Sequence, residues 1–168
     1  MFDRFTEGAR TAVMQAQSEA AARSDGELGG EHLLLGVLQP GTGVAADILA
    51  ETRVTPDAAR AAVSELYGPP PSMAPGEALA SIGIDLDAVN ARLTESFGEQ
   101  ATAPKPIPFD DDAKTALMAA VQLAGGSPIG TEHVLLGLLQ ATGGRAPKLL
   151  EHLGVDVAAL GERVRTWA

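Results

Sequence analysis

Two Glu-His pairs are the residues of this chain whose types could do chemistry. Glu31-His32 and Glu132-His133 each precede a run of leucines. A carboxylate beside an imidazole can serve acid–base catalysis or bind a metal ion. Adjacent helical residues point about 100° apart, however, and neither pair has the HExxH spacing or a cluster of further ligands. We therefore predict no catalytic site, no metal and no cofactor, and expect each histidine to form local hydrogen bonds.

The two glutamates could instead bind a ligand. Glu31 and Glu132 lie in the first turn of a predicted helix, where free N–H groups attract an anion and the carboxylate can hold a guanidinium. A zwitterionic group such as phosphoarginine would suit both features. A second interpretation stays open, in which each glutamate only complements its helix dipole. Because Thr131 adds a hydroxyl that Gly30 lacks, we expect stronger binding at the second pair.

The pairs belong to an internal duplication. Segment 29–39 (GGEHLLLGVLQ) recurs as 130–140 (GTEHVLLGLLQ), with eight of eleven positions identical at an offset of 101. Average composition would give roughly one match in ten positions. Flanking segments match as well, for example Phe5 with Phe109 at an offset of 104. We therefore predict repeat 1 at 1–68, a linker at 69–104 and repeat 2 at 105–168.

Composition favours helices as the elements that position these pairs. Hydrophobic residues make up 45% of the chain but aromatic residues only 4%, and alanine and leucine dominate the apolar set. Helical periodicity and start signals such as Thr6 and Thr55-Pro56 predict four helices in repeat 1 and four in repeat 2. The expected fold is an all-α, pseudo-twofold bundle of two four-helix repeats.

The linker is predicted to contain an extra helical hairpin. Its apolar residues from Leu79 to Phe97 match those of the third and fourth helices of repeat 1 at an offset of 30. A chance match between amphipathic helices is the alternative. Because the segment from about Gly76 to Phe97 would otherwise expose an apolar stripe, we expect it to pack on a repeat.

Charge and composition exclude several partners. The net charge is −10 and no segment concentrates lysine or arginine, so neither nucleic acid nor an anionic membrane is an expected partner. Cysteine is absent, which excludes disulfides and thiol chemistry. No signal-peptide pattern and no long apolar run is present, so we expect a cytoplasmic protein.

Met1–Thr6, the two Glu-His motifs and Ile107–Phe109 together resemble the double Clp-N repeat at the amino terminus of ClpC-type AAA+ unfoldases. The resemblance covers about 1–68 and 105–166. It implies a non-enzymatic docking platform, here without the motor, that binds Clp unfoldases, adaptors or substrates, including phosphoarginine-marked proteins. The leading hypothesis is a module that recruits these partners or competes with the unfoldase for them.

The resemblance implies two binding regions. A phosphoarginine-type site would use Thr131, Glu132 and Glu31, although Gly30 and the acidic run Asp110–Asp112 depart from the family pattern. An apolar surface, targeted by cyclic-peptide antibiotics in the family, would comprise Phe2, Arg10, Val13, Met14, Gln17 and Phe109. For Phe2 and Met14, a place in the core or at a frayed terminus is the alternative. A protein that sequesters such cyclic peptides is therefore the alternative function.

Overall fold

A computed structural model describes residues 2–70, 75–98 and 105–168. Within these residues the chain forms one short 3-10 helix, Phe2–Arg4, ten α-helices and no β-strand. The α-helices are α1 (Glu7–Ala22), α2 (Gly30–Val37), α3 (Val44–Glu51), α4 (Pro56–Tyr67), α5 (Pro75–Ser81), α6 (Leu86–Phe97), α7 (Asp111–Leu123), α8 (Thr131–Gln140), α9 (Arg145–His152) and α10 (Val157–Arg165). The all-α prediction is confirmed, with four helices in each repeat.

Side chains cap several helices at their first residues, including Thr6 and Thr55 as predicted. Thr6 accepts a hydrogen bond from Ala9 N at 3.2 Å at the start of α1, and Asp110 accepts one from Ala113 N at 2.8 Å at the start of α7. Thr55 caps α4 in the same way. Each cap satisfies an N–H group that has no partner inside its own helix.

The leucines of the duplicated motif form the core. Leu34, Leu35 and Leu38 are buried in repeat 1, as are Leu135 and Leu136 in repeat 2. The duplication predicts that Leu139, the counterpart of Leu38, is equally buried, and this prediction is wrong: Leu139 is only partly buried against the core. Leu139 faces Gly161 of α10, which offers no side chain to cover it.

The glycine that follows the leucines in each motif permits close packing of two helices. A Cβ at Gly36 would lie 2.1 Å from the carbonyl oxygen of Ala12, and one at Gly137 would lie 2.1 Å from that of Ala116. The backbones of α1 and α2, and of α7 and α8, therefore approach each other more closely than a side chain would allow. This contact explains why glycine occurs in both copies.

The repeats are joined by reciprocal backbone pairing. Thr6 N donates to Ile129 O at 2.9 Å and Ile129 N to Arg4 O at 2.8 Å. In the equivalent exchange, Leu28 N donates to Pro108 O at 2.8 Å and Asp110 N to Leu28 O at 3.0 Å. The start of each repeat thus pairs with the loop that precedes the Glu-His motif of the other.

Met1–Pro69 and Ile107–Ala168 form one compact unit, and Pro70–Pro106 forms a second. In the second unit, α5 and α6 confirm the predicted helices, and Asp85 caps α6 through Ala88 N at 3.2 Å. No described residue of α6 is buried. Packing of this hairpin on a repeat stays a prediction, and residues 71–74 and 99–104 of the linker lie outside the described residues.

Candidate functional site

Both histidines form hydrogen bonds within their own repeats, as predicted. His32 Nδ1 accepts a hydrogen bond from Gly29 N at 3.0 Å, and His133 Nδ1 accepts one from Gly130 N at 3.1 Å. An imidazole that accepts at Nδ1 carries its proton at Nε2. In His32 that proton points to Asp25 Oδ2, 2.9 Å away. The ring therefore fixes the turn that precedes α2.

Glu31 holds a guanidinium supplied by the other repeat. Its side chain is only 3% exposed, and its Oε1 accepts a hydrogen bond from Arg145 Nη1 at 2.6 Å. Its Oε2 is buried without a hydrogen-bond partner among the described residues. A buried carboxylate oxygen normally has such a partner. The site thus contains one occupied acceptor and one unsatisfied acceptor.

Tyr67 and Asp110 complete the surroundings of Arg145. The Tyr67 ring centroid lies 5.4 Å from Arg145 Cζ, which permits a cation–π contact. The Tyr67 hydroxyl donates to Arg145 O at 3.4 Å, and Asp110 Oδ2 lies 3.8 Å from Arg145 Nη1. The guanidinium is therefore flanked by two carboxylates and one aromatic ring.

These charges act on two pKa values. Burial alone would lower the pKa of Arg145, but the hydrogen bond and charge of Glu31, with the charge of Asp110, raise it above the ordinary arginine value. Burial and then the charge of Glu31 raise the pKa of Tyr67, while Arg145 opposes that rise. Arg145 consequently stays cationic and Tyr67 stays protonated at neutral pH.

Thr131, whose hydroxyl is expected to bind a ligand, lies at a contact between the repeats. It is buried, and its Oγ1 accepts a hydrogen bond from Ala45 N at 3.2 Å, at the start of α3 in the other repeat. At the equivalent place beside Gly30, Asp112 Oδ2 accepts a hydrogen bond from Arg145 N at 3.0 Å, at the start of α9. Thr131 and Asp112 thus perform the same capping task.

Glu132 differs from Glu31 at the position that supplies the arginine. Its side chain is 15% exposed, and its Oε1 lies 3.0 Å from His133 Nδ1. At the offset of 101, Val44 occupies the position that corresponds to Arg145, and valine cannot donate a hydrogen bond from its side chain. The two glutamates are therefore equivalent in sequence, but only Glu31 receives a guanidinium from the position that this offset defines.

The residues of the predicted apolar surface are divided between core and surface. Val13 is buried, whereas Met14 is 65% exposed and Arg10 is exposed. The Gln17 side chain donates to Ile107 O at 2.9 Å and accepts from Ile107 N at 2.8 Å, which holds α1 beside the segment that contains the partly buried Phe109. The side chain of Phe2 lies outside the described residues.

An open groove runs past Glu31 and Arg145, in two adjoining parts of about 380 and 550 Å³. We call it the acidic groove; the ionisable residues that line it are Arg23, Asp25, Glu27, Glu31, His32, Tyr67, Asp110, Asp111, Asp112, Arg145 and Lys148. Across the described ranges, no three His, Cys, Asp or Glu side chains are arranged to hold a metal ion.

Residues 4–78 and 108–167 match the family described as Clp repeat (R) N-terminal domain. The chain belongs to this family. An "ATP-dependent Clp protease ATP-binding subunit ClpA homolog" from Porphyra purpurea is 34% identical over 167 residues, which are 98% of this chain and 17% of the relative. "Chaperone protein ClpC1, chloroplastic" from Arabidopsis thaliana is 32% identical over 168 residues, 98% of this chain and 15% of the relative.

The fold of this Clp-N domain also occurs in a solved structure. The N-terminal domain of the chaperone ClpD from Arabidopsis thaliana covers 99% of this chain with a TM-score of 0.65 and 25% sequence identity, and this chain covers 98% of it. The chain spans only 17% and 15% of the two curated relatives named above. The family match is to a repeat domain and not to a catalytic one.

Location within a cell stays a prediction for this Clp-N domain, because its relatives include chloroplastic proteins. Every helix in the described part of the chain is too short or too polar to cross a membrane.

Arg145 and Tyr67 are the site residues that the sequence did not predict. The available signal was the loss of repeat symmetry at Arg145, where the other copy has Val44.

Proposed function

We propose that this Clp-N domain is a non-enzymatic binding module of the Clp protease system. It docks adaptors, substrates or degradation signals, or competes with an unfoldase for them. The family match supports this proposal, and so does the presence of a buried and a largely buried glutamate at equivalent helix starts of the two repeats. The observation that carries it is the Arg145 guanidinium bound by Glu31 at 2.6 Å, since a carboxylate at this helix start already binds that group.

Glu132 is the better candidate for a phosphoarginine-marked ligand. Its carboxylate can receive a guanidinium because Val44 stands where the other copy has Arg145. The start of α8 adds backbone N–H groups and the positive end of the helix dipole for the phosphate. At Glu31, by contrast, Arg145 must first be displaced and Asp110–Asp112 would repel the phosphate. The expected contribution of Thr131 is reduced, because its side chain is buried at the start of α3, where its hydroxyl oxygen accepts a hydrogen bond from Ala45 N.

Titration of a phosphoarginine peptide into the wild type, Glu132→Ala and Glu31→Ala tests this assignment. Loss of a hydrogen bond to a charged group costs about 1.5–3 kcal/mol, so Glu132→Ala should weaken binding about tenfold or more and Glu31→Ala should weaken it less. Affinity should rise with salt, because screening reduces repulsion between the phosphate and a protein of net charge −10. Absence of binding, or equal losses in both variants, would remove Glu132 from the mechanism.

Sequestration of cyclic peptides is the second candidate function, favoured by the exposure of Met14 beside the Phe109 segment. Met118, its equivalent on α7, is 61% exposed and provides a matched control. A cyclic peptide that binds this surface should lose affinity in Met14→Lys and keep it in Met118→Lys. Affinity purification from a lysate separates the two functions, since recruitment predicts a captured Clp component whereas sequestration requires tight binding of the free peptide.

A further inference from the structure

We propose that the acidic groove binds an unmodified arginine side chain of a partner, with Arg145 as a built-in occupant that the partner's guanidinium displaces. This inference rests on the proposed function as a binding module. It adds the chemical class of the ligand at Glu31, which is a basic peptide segment and not a phosphorylated one. Three properties of the groove support this ligand class.

The first property is an unsatisfied acceptor. Glu31 Oε2 is buried without a hydrogen-bond partner among the described residues, while Oε1 receives only Arg145 Nη1. Its neighbourhood is acidic: the position that a Cβ at Gly29 would take lies 2.3 Å from Glu31 Oε2 and 2.9 Å from Asp110 Oδ2. A planar guanidinium can donate two parallel hydrogen bonds to a carboxylate. Arg145, engaged through one oxygen, leaves half of that capacity unused.

The second property is the excess of negative charge. The groove is lined by six acidic residues, three basic residues and His32. Arg23 is already paired with Asp25 at 3.0 Å. His32 accepts at Nδ1 and so contributes no fixed positive charge. Acidic groups around a concave surface raise the local concentration of cations, whereas they oppose entry of a phosphate.

The third property is that Arg145 is replaceable. Its side chain remains 47% exposed, although the Glu31 carboxylate that it contacts is only 3% exposed. The backbone N of Arg145 is held separately by Asp112, so α9 keeps its capping bond when the side chain swings out. The Tyr67 ring would then be available to a second guanidinium. Arg145 therefore competes with a ligand without being required for the start of its helix.

The experiment uses the acetylated and amidated pentapeptide Gly-Arg-Gly-Arg-Gly, titrated into the full chain and followed by ¹⁵N NMR. Its citrulline version keeps the shape but loses the charge, and its phosphoarginine version adds phosphate. Arg145→Ala should raise affinity for the arginine peptide about tenfold, the scale of one charged hydrogen bond. Lys148→Ala is the matched control, because it removes the same charge from the groove without contacting Glu31.

Glu31→Gln in the Arg145→Ala background should abolish binding, and Glu27→Gln, an exposed position in the same groove, should reduce it only slightly. Affinity should fall as salt rises. Equal gains in Arg145→Ala and Lys148→Ala would overturn the proposal, as would equal binding of the citrulline peptide or tighter binding of the phosphoarginine peptide at Glu31. If Arg145→Ala does not fold, Glu31→Gln against the wild type, with the arginine and citrulline peptides, gives the same decision.

The outcomes for the two glutamates are independent. Failure of the arginine peptide, together with phosphoarginine binding that depends on Glu132, would remove only the ligand class assigned to the acidic groove. Failure of every peptide, with no Clp component captured from a lysate, would remove the proposed function as well.

Discussion

Gly30 and Asp112 form a matched pair across the repeats: a Cβ on residue 30 would lie 2.5 Å from Asp112 Oδ2. The same oxygen accepts the hydrogen bond of Arg145 N at 3.0 Å. In the equivalent place, residue 131 is a threonine, residue 8 is a glycine, and the threonine hydroxyl caps α3. The two repeats thus differ in sequence at these positions, but both helices are capped. At α9 the carboxylate of Asp112 replaces the hydroxyl that Gly30 lacks.

A double-mutant cycle tests this exchange. Asp112→Ala should destabilise the fold by about 0.5–2 kcal/mol, the usual cost of a lost helix cap. Gly30→Thr alone should also destabilise it, through the clash with Asp112. The double variant should be more stable than the sum of both changes predicts, since the introduced threonine could cap α9 as Thr131 caps α3. Urea unfolding measures all four proteins, and strict additivity would contradict the exchange.

Asp111→Ala is the control for that cycle. Asp111 is exposed and also lies in the first turn of α7, so its loss measures the helix-dipole effect without a cap to α9. A loss of stability in Asp111→Ala as large as that in Asp112→Ala would show that charge near the helix start, and not the bond to Arg145 N, accounts for the effect.

Gly36→Ala and Gly137→Ala should each destabilise the protein by about 1–3 kcal/mol or more, the cost of overpacking. The added methyl group meets a backbone carbonyl oxygen, which cannot move without separating two helices. Gly26→Ala offers a control, because a Cβ there meets no atom within 4 Å. Thermal or urea unfolding that ranks Gly26→Ala with the other two would show that the close helix contact is unimportant.

Leu35→Ala and Leu136→Ala should cost about 2–5 kcal/mol each, since both side chains are buried and would leave cavities. The half-buried Leu139 should lose less on truncation to alanine, because water already reaches part of its side chain. A loss below about 1 kcal/mol at Leu35 or Leu136 would mean that these positions do not form the core.

Tyr67 is the only tyrosine of the chain, so absorbance titration reports its pKa directly. We expect a pKa above the ordinary value of about 10, because burial and the charge of Glu31 both disfavour the phenolate. Glu31→Gln should lower this pKa by removing one of those causes, whereas Glu132→Gln should leave it unchanged. A Tyr67 pKa in Glu31→Gln that equals the wild-type value would contradict the electrostatic contact between Glu31 and Tyr67.

The same shift sets the sign of a stability effect. Because the folded-state pKa of Tyr67 lies above the unfolded-state value, its contribution to stability is complete below the unfolded-state pKa. It is lost as the pH rises through the folded-state pKa. Unfolding should therefore become easier at alkaline pH, and Tyr67→Phe should reduce that alkaline loss.

The linker hairpin is expected to be protected from amide exchange if it packs on a repeat, because its apolar residues would then be covered. Hydrogen exchange measured by mass spectrometry over 76–97 tests this expectation against α8 as an internal reference. Rapid exchange throughout 76–97 would contradict packing of the hairpin on a repeat.

The sequence by itself determined the local elements of this protein and their duplication. Helical periodicity and capping residues such as Thr6 and Asp110 act within a few neighbouring positions, so the helices and the pseudo-twofold bundle could be predicted from them. The histidines belong to the same class, since His32 and Gly29 are only three residues apart. Interactions over such short distances along the chain depend little on how the repeats meet.

Tertiary structure decided the character of the site. Glu31 and Arg145 are 114 residues apart, and Asp112 reaches Arg145 N over 33 residues. No periodicity connects these positions, because their proximity depends on how α2, α7 and α9 pack across the two repeats. The loss of symmetry at Gly30 and Arg145 is visible in the aligned repeats, but only the packed bundle shows that one loss makes room for Asp112 and the other fills the Glu31 site.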